Sequence, residues 1–173
     1  MSKIFTSIAV SLDGYIASKS GDLSWLNDTM AKGEDYGFEE TMKRTGLYVM
    51  GANSYKEMLK SGMAGGKELT YVITKEKDLK KGRRTHFYDG DLRELAEKVK
   101  AETDKDIYIW GGGSVITQFI DLDLLDELNL AMIPVLLGDG APLFGNLSGL
   151  KKLRLIVCEK FEKSGIALLK YEL

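Results

Sequence analysis

Apolar and polar positions along this chain follow two rhythms, and each change of rhythm marks an element. Short apolar runs, rich in β-branched residues, predict strands at residues 3–10, 47–50, 68–74, 85–88, 107–110 and 128–137. Helical spacing appears at 34–45, where Asp35, Phe38 and Met42 recur at i, i+3 and i+7 and share a face that the apolar pair turns inward. A helix is also predicted from residue 52 onward, and another over 114–120 with Val115, Ile116 and Phe119 on one side. The clearest helix opens at Asp91, placed to cap it, with Glu94 at capping-box spacing. Leu92, Leu95, Ala96 and Val99 form its apolar stripe. Two alternating strands, 153–160 and 166–171, meet across Lys163-Ser164-Gly165 and predict a hairpin. Strands and helices thus alternate first, and a run of strands ends the chain. That order predicts an α/β domain: a mostly parallel sheet with an antiparallel C-terminal hairpin at its edge, flanked by helices. No repeat or linker divides residues 1–173, so one domain is expected.

The connections carry the candidate chemistry. A long loop is expected over residues 11–27, with a turn at Asp13-Gly14 and with Trp25 either packing the loop down or facing a substrate. Residues 62–66 are rich in glycine. Gly51 ends one strand directly before a helix, where Asn53 or Ser54 could cap and leave N–H groups free for phosphate. Gly111-Gly112-Gly113 ends another strand and leads into Ser114 and Val115. Three glycines exceed what a turn requires, and they let bare backbone approach a ligand. They match neither the G-x-G-x-x-G fingerprint, since position 116 is Ile, nor the P-loop, since no Gly-Lys-Ser/Thr follows. Two such units at the carboxyl ends of parallel strands could hold the two phosphates of one dinucleotide.

Composition narrows the field. The net charge is −2, which gives no global case for nucleic acid or an acidic membrane. Cys158 is the single cysteine and His86 the single histidine, so neither a disulfide framework, a zinc site nor a Ser-His-Asp hydrolase is expected. The N-terminus carries no convincing signal peptide, and the apolar run 130–137 is too short to span a bilayer and contains Pro134. A cytoplasmic protein is expected.

The segments Ile109-Trp-Gly-Gly-Gly-Ser-Val-Ile and Val49-Met-Gly-Ala-Asn-Ser-Tyr together resemble the pair of cofactor motifs of the dihydrofolate reductase superfamily. Residues 126–144 and Ser11-Leu-Asp-Gly-Tyr-Ile-Ala17 are closer to one branch, the RibD C-terminal domain of riboflavin biosynthesis and its stand-alone bacterial relatives. The resemblance spans nearly the whole chain. It implies a dihydrofolate reductase-like three-layer fold with helices on both faces, and an NADPH-dependent reductase similar to 5-amino-6-(5-phosphoribosylamino)uracil reductase. It further implies that Gly111, Gly112, Gly113, Ser114 and Val115 contact the pyrophosphate and its ribose, with Gly51, Asn53 and Ser54 on the other side. Thr74 and Lys75 would meet the adenosine 2′-phosphate, and Ala9, Ile16 and Ala17 would border the nicotinamide. Asp35 would stand where dihydrofolate reductases place their substrate carboxylate, with Trp25, Phe38 and Ile8 around the substrate. No metal is implied, and a homodimer is.

The departures from the superfamily pattern point away from folate itself. Ala52 replaces the arginine that usually follows Met-Gly, so a cation for the 2′-phosphate falls to Lys75 or Lys77. Ala131 replaces the threonine that supports the carboxylate, and Ile116 replaces the tyrosine after the glycines. The alternatives kept open are a dihydrofolate or pterin reductase of the same fold and a non-catalytic NADPH-binding module.

Overall fold

The computed structural model describes residues 2–60, 68–80 and 82–173; the glycine-rich stretch 62–66 lies outside the described residues. Its centre is an eight-stranded sheet. In chain order the strands are β1 (Ile4–Ser11), β3 (Thr45–Gly51), β4 (Leu69–Ile73), β5 (Thr85–Tyr88), β6 (Asp106–Gly111), β7 (Glu127–Ile133), β9 (Arg154–Lys160) and β10 (Ala167–Glu172). Across the sheet the order is β5-β4-β3-β6-β1-β7-β10-β9. Neighbours from β5 to β7 pair in parallel, and β10 pairs antiparallel with both β7 and β9. The expected parallel sheet with a C-terminal hairpin is therefore present. The hairpin turns at Gly165, whose φ of 74° suits glycine.

The apolar runs belong to the strands buried on both faces. Ile4, Phe5, Val49, Ile107 and Ile109 are fully buried in the middle of the sheet. On one face, α4 (Leu92–Ala101) and α5 (Gly113–Asp121) pack Leu95, Val99, Ile116 and Phe119 against Ile4, Val49, Ile107 and Ile109. Asp91 caps α4 as expected, its side chain accepting from the N–H groups of Arg93 and Glu94. On the other face, α3 (Ala52–Lys60) buries Tyr55 against Met50 and Val72, and α2 (Phe38–Arg44) lies over β1, β7 and β10.

Four expectations change. The segment 11–27 is not one irregular loop. It holds β2 (Tyr15–Ser18), which pairs antiparallel with β8 (Gly140–Pro142), and it leads into α1 (Ser24–Thr29). The helix expected over 34–45 starts at Phe38, because Tyr36 and Gly37 have φ of 55° and 76° and no helix can run through them. The inward residue of that stretch is Tyr36, buried edge-on to Phe161 at 4.8 Å. Phe38 is 60% exposed and Asp35 is exposed, so the inward face expected for both is corrected; Thr41 is the buried residue of α2. The strand expected to run to residue 137 stops at Ile133, before Pro134, which has no N–H for a ladder. Finally, α3 starts at Ala52, so Asn53 and Ser54 lie inside its first turn rather than capping it.

A half-buried ion network around the buried Glu127 fastens α2 to the amino-terminal end of the sheet. Arg44 donates through Nε to Asp106 at 2.7 Å and through Nη1 to Glu127 at 2.6 Å, and its guanidinium lies 4.1 Å above the centre of the Phe5 ring. Burial pushes the Glu127 carboxyl up, but the Arg44 hydrogen bonds and charge outweigh it and hold the group below its ordinary value.

Candidate active site

At the carboxyl edge of the sheet, β3 and β6 lie side by side with Met50 opposite Gly111. Each ends in glycine and turns at once into a helix, so the starts of α3 and α5 stand together. The gap between them is lined by bare backbone. A Cβ on Gly112 would lie 3.4 Å from Ser54 Oγ, and one on Gly111 would lie 3.7 Å from the same oxygen and 3.8 Å from Ile8 Cδ1. Gly111 has φ of 131°, a region that favours glycine, and its peptide bond to Gly112 is cis. No side chain caps α5 at Gly112, and Val115 N–H donates to the Gly112 carbonyl at 3.0 Å, so the N–H groups of Gly113 and Ser114 are the ones that face an anion. Gly51 touches α5, since a Cβ there would meet Val115 Cγ2 at 3.1 Å. Gly51, Ser54, Gly111, Gly112, Gly113, Val115 and Ile8 thus meet around one gap, with Asn53 in the same helical turn as Ser54.

The segment after β1 is fastened to this gap through β8. Leu143 N–H donates to the Gly14 carbonyl at 2.9 Å, and Ala17 pairs with Ala141. A Cβ on Gly113 would collide with the carbonyl oxygens of Pro142 and, at 2.6 Å, Leu143. Asp13 latches the turn from the other side. It accepts from Ser11 Oγ at 2.6 Å, from Gly138 N at 2.7 Å and from Leu137 N at 3.2 Å. The Ser11 bond, joined by the two backbone donors, holds the Asp13 carboxyl below its ordinary value. The sequence marked Asp13 only as a turn residue, and its latch joins positions 124 residues apart.

The other predicted residues spread around this centre. Ala9 faces away from Ile8 across the sheet, beside Ala131. Trp25 packs on the same cluster as Ala9, formed by Tyr36, Ile133 and Ile166, and its Nε1 donates to the Asp22 carbonyl at 3.2 Å. Ile16 packs into the main core instead. Thr74 and Lys75 follow β4 on the same carboxyl edge, one strand beyond β3. Thr74 Oγ accepts from Glu76 N at 3.0 Å, and Lys75 is exposed with no ion pair among the described residues. Ser114 is exposed in the first turn of α5. Asp35 stands in solvent and accepts from Glu39 N through both carboxylate oxygens, at 3.2 and 3.1 Å. It is thereby a cap ahead of α2, apart from the glycine gap.

One group was not singled out from the sequence. Tyr48, Tyr108 and Trp110 project from β3 and β6 between α2 and α3, with ring centres 5.8, 5.6 and 5.5 Å apart. The tyrosine Tyr48 hydroxyl touches Met42 Sδ of α2 at 3.7 Å, and Tyr108 donates to the Ser7 carbonyl at 2.6 Å. Burial pushes both phenols up, so they stay protonated. The signal was the alternation of Ile107 and Ile109 with Tyr108 and Trp110, which an unbroken apolar run conceals.

The strand order, the glycine-ended β3 and β6 and the paired helix starts define a dihydrofolate reductase-like α/β domain. Residues 56–167 match the family described as the RibD C-terminal domain, and the chain belongs to that family. It is 31% identical to the uncharacterised protein YwjB of Bacillus subtilis (strain 168) over 156 residues, 89% of each chain. The crystal structure of a Shewanella sp. PV-4 protein assigned by name to riboflavin biosynthesis superposes with a TM-score of 0.87 at 31% identity, covering 99% of this chain and 98% of that one. The dihydrofolate reductase of Enterococcus faecalis superposes with a TM-score of 0.68 at 17% identity, covering 98% and 95%, and so shares the fold. Among the described residues no helix is long and apolar enough to cross a membrane.

Proposed function

We propose that this chain is an NADPH-dependent reductase that delivers a hydride to a C=N or C=O group of a small heterocycle, in the manner of the riboflavin-pathway pyrimidine reductase. The observation that carries the reading is the gap between the starts of α3 and α5, where glycine backbone faces Ser54 and a Cβ would intrude. Membership of the RibD C-terminal domain family supports it, as does likeness to a dihydrofolate reductase fold that was crystallised with NADP(H). When bound, the cofactor supplies the hydride.

The residues of the chain do the rest. Gly111, Gly112, Gly113, Ser114 and Val115 contact one side of the pyrophosphate and its ribose, the Val115 N–H itself being donated to the Gly112 carbonyl at 3.0 Å, and Gly51, Asn53 and Ser54 hold the other. Thr74 and Lys75 take the adenosine phosphate, with Lys75 exposed and outside any ion pair among the described residues. Ala9, Ile16 and Ala17 border the nicotinamide, and Ile8, Trp25 and Phe38 line the approach of the substrate. Ala131 and Ile116 disfavour the folate alternative, because the first has no hydroxyl and the second is buried in the core. The same reading places the protein in the cytoplasm as a homodimer, with Leu155 and Ile156 exposed on the open edge strand β9.

Asp35 passes the proton that must accompany the hydride, from its exposed position before α2. NADPH oxidation followed at saturating cofactor tests this with Asp35→Asn. Turnover is expected to fall by tenfold or more while NADPH affinity stays unchanged, an effect of about 1.4 kcal/mol on the barrier. An unchanged rate assigns the proton to water.

A further inference from the structure

The connection from β4 to β5 is the most basic stretch of the chain, and its described residues form no helix or strand. Residues 75–84 hold six cations, Lys75, Lys77, Lys80, Lys81, Arg83 and Arg84, against Glu76 and Asp78. The connection leaves the carboxyl edge of β4 at Thr74 and Lys75, where the proposed function places the adenosine 2′-phosphate. A segment with no ladder of its own keeps its shape through the groups it packs on.

Here those groups belong to α3. Tyr55 is fully buried in the first turn of that helix, one residue after Ser54 of the cofactor gap. Its ring packs with Met50, Val72 and the half-buried Leu79 of the connection, and stands edge-on to Phe87 with centres 5.9 Å apart. Its hydroxyl donates to the Lys80 carbonyl at 2.8 Å and accepts from Gly82 N–H at 3.0 Å. Gly82 fits closely, since a Cβ there would lie 2.6 Å from Thr85 Oγ1 and 3.3 Å from the Tyr55 hydroxyl. The next residue, Lys56, reaches Glu76 at 2.7 Å, but that pair is exposed and holds weakly. The buried hydroxyl is the stronger anchor, because its loss leaves Gly82 N–H and the Lys80 carbonyl without their partner. One turn of α3 therefore presents Ser54 to the gap and Tyr55 to the basic connection.

We infer that Tyr55 is a positioning residue for the 2′-phosphate: its hydroxyl fixes the basic connection beside α3, so that NADPH is preferred over NADH. This rests on the reductase reading for the identity of the nucleotide. The pyrophosphate contacts, common to both nucleotides, do not depend on that hydroxyl.

The test is calorimetric titration of the wild type, Tyr55→Phe and Gly82→Ala with NADPH and with NADH. Neither substitution changes charge, and Tyr55→Phe keeps the ring and its packing. The wild type is expected to bind NADPH about tenfold or more tighter than NADH. In Tyr55→Phe that ratio should fall by about threefold or more, through NADPH alone, with NADH affinity held within about twofold. Gly82→Ala disturbs the same contact from the side of the connection and should move the ratio the same way. It decides the question if Tyr55→Phe does not fold. A hydroxyl with a structural role only would lower the unfolding temperature, or weaken both nucleotides together, and leave the ratio unchanged. An unchanged ratio in the folded variant overturns the inference. A wild type that binds both nucleotides equally overturns it too and leaves the reductase reading standing. A wild type that binds neither sinks both.

Discussion

Gly112→Ala is expected to leave the protein folded and to cost at least tenfold in NADPH affinity, about 1.4 kcal/mol. Gly113→Ala is expected to cost both affinity and stability. The two neighbours differ in what their missing Cβ would meet. At Gly112 the nearest atom is Ser54 Oγ at 3.4 Å, an ordinary contact, and φ of −79° is open to alanine. The added methyl therefore occupies only the gap where we place the pyrophosphate. At Gly113 the methyl would run into the backbone carbonyls of Pro142 and Leu143, which no rotamer change can clear. Overpacking of this kind costs about 1–3 kcal/mol. It also pushes β8 away and with it Ala17, its partner in the two-stranded sheet. Calorimetry with NADPH and urea unfolding separate the two effects. If Gly112→Ala binds NADPH like the wild type, the cofactor does not approach that backbone.

The second large effect lies at the opposite end of the sheet. Arg44→Ala is expected to destabilise the fold by about 3–5 kcal/mol near neutral pH, because it strands the buried carboxylate of Glu127. The sign of its pH dependence follows from the direction of the Glu127 shift. In the wild type the folded carboxyl sits below its unfolded value, so its contribution is complete above the ordinary carboxylate range. That contribution is lost as pH falls through the lowered folded value. Without Arg44 the burial that raises the acid is opposed only by the Asn129 hydrogen bond and by Lys3, so the variant loses less than the wild type, or nothing, when Glu127 is protonated. The stability gap between wild type and Arg44→Ala should therefore narrow on acidification from neutral pH to about pH 4. A gap that widens on acidification contradicts this account of the network. Adding Glu127→Gln to the variant should recover part of the loss, since the stranded charge is gone.

Much of this architecture was legible because local signals agreed with the global fold. The buried runs at β3, β6 and β1, the cap at Asp91 and the hairpin turn at Gly165 each decide their own element from nearby residues. The cofactor gap was legible as two separate strand–glycine–helix units, and their adjacency rests on a pairing of β3 with β6 that brings together Met50 and Gly111, 61 positions apart. The start of α2 departs from its sequence pattern for a local reason. Asp35, Phe38 and Met42 have helical spacing, but Tyr36 turns into the core with positive φ and takes the inward place that spacing gave to Asp35 and Phe38. The Arg44 network and the Asp13 latch were beyond reach because each joins residues whose proximity only the sheet order creates. The aromatic group of Tyr48, Tyr108 and Trp110 was within reach. Tyr108 and Trp110 alternate with two isoleucines, and a period of two on a buried strand assigns them to one face.

The central claim is that NADPH lies between the starts of α3 and α5, and backbone amide signals report on that most directly. In a titration of ¹⁵N-labelled protein with NADPH, the amides of Gly51, Asn53, Ser54 and Gly111 to Val115 should shift together and saturate at one affinity. Those of Thr74 and Lys75 should follow with NADPH and move much less with NADH, which lacks the 2′-phosphate. Shifts confined to other parts of the chain, or none at a cofactor excess of a hundredfold over the protein, would contradict the account.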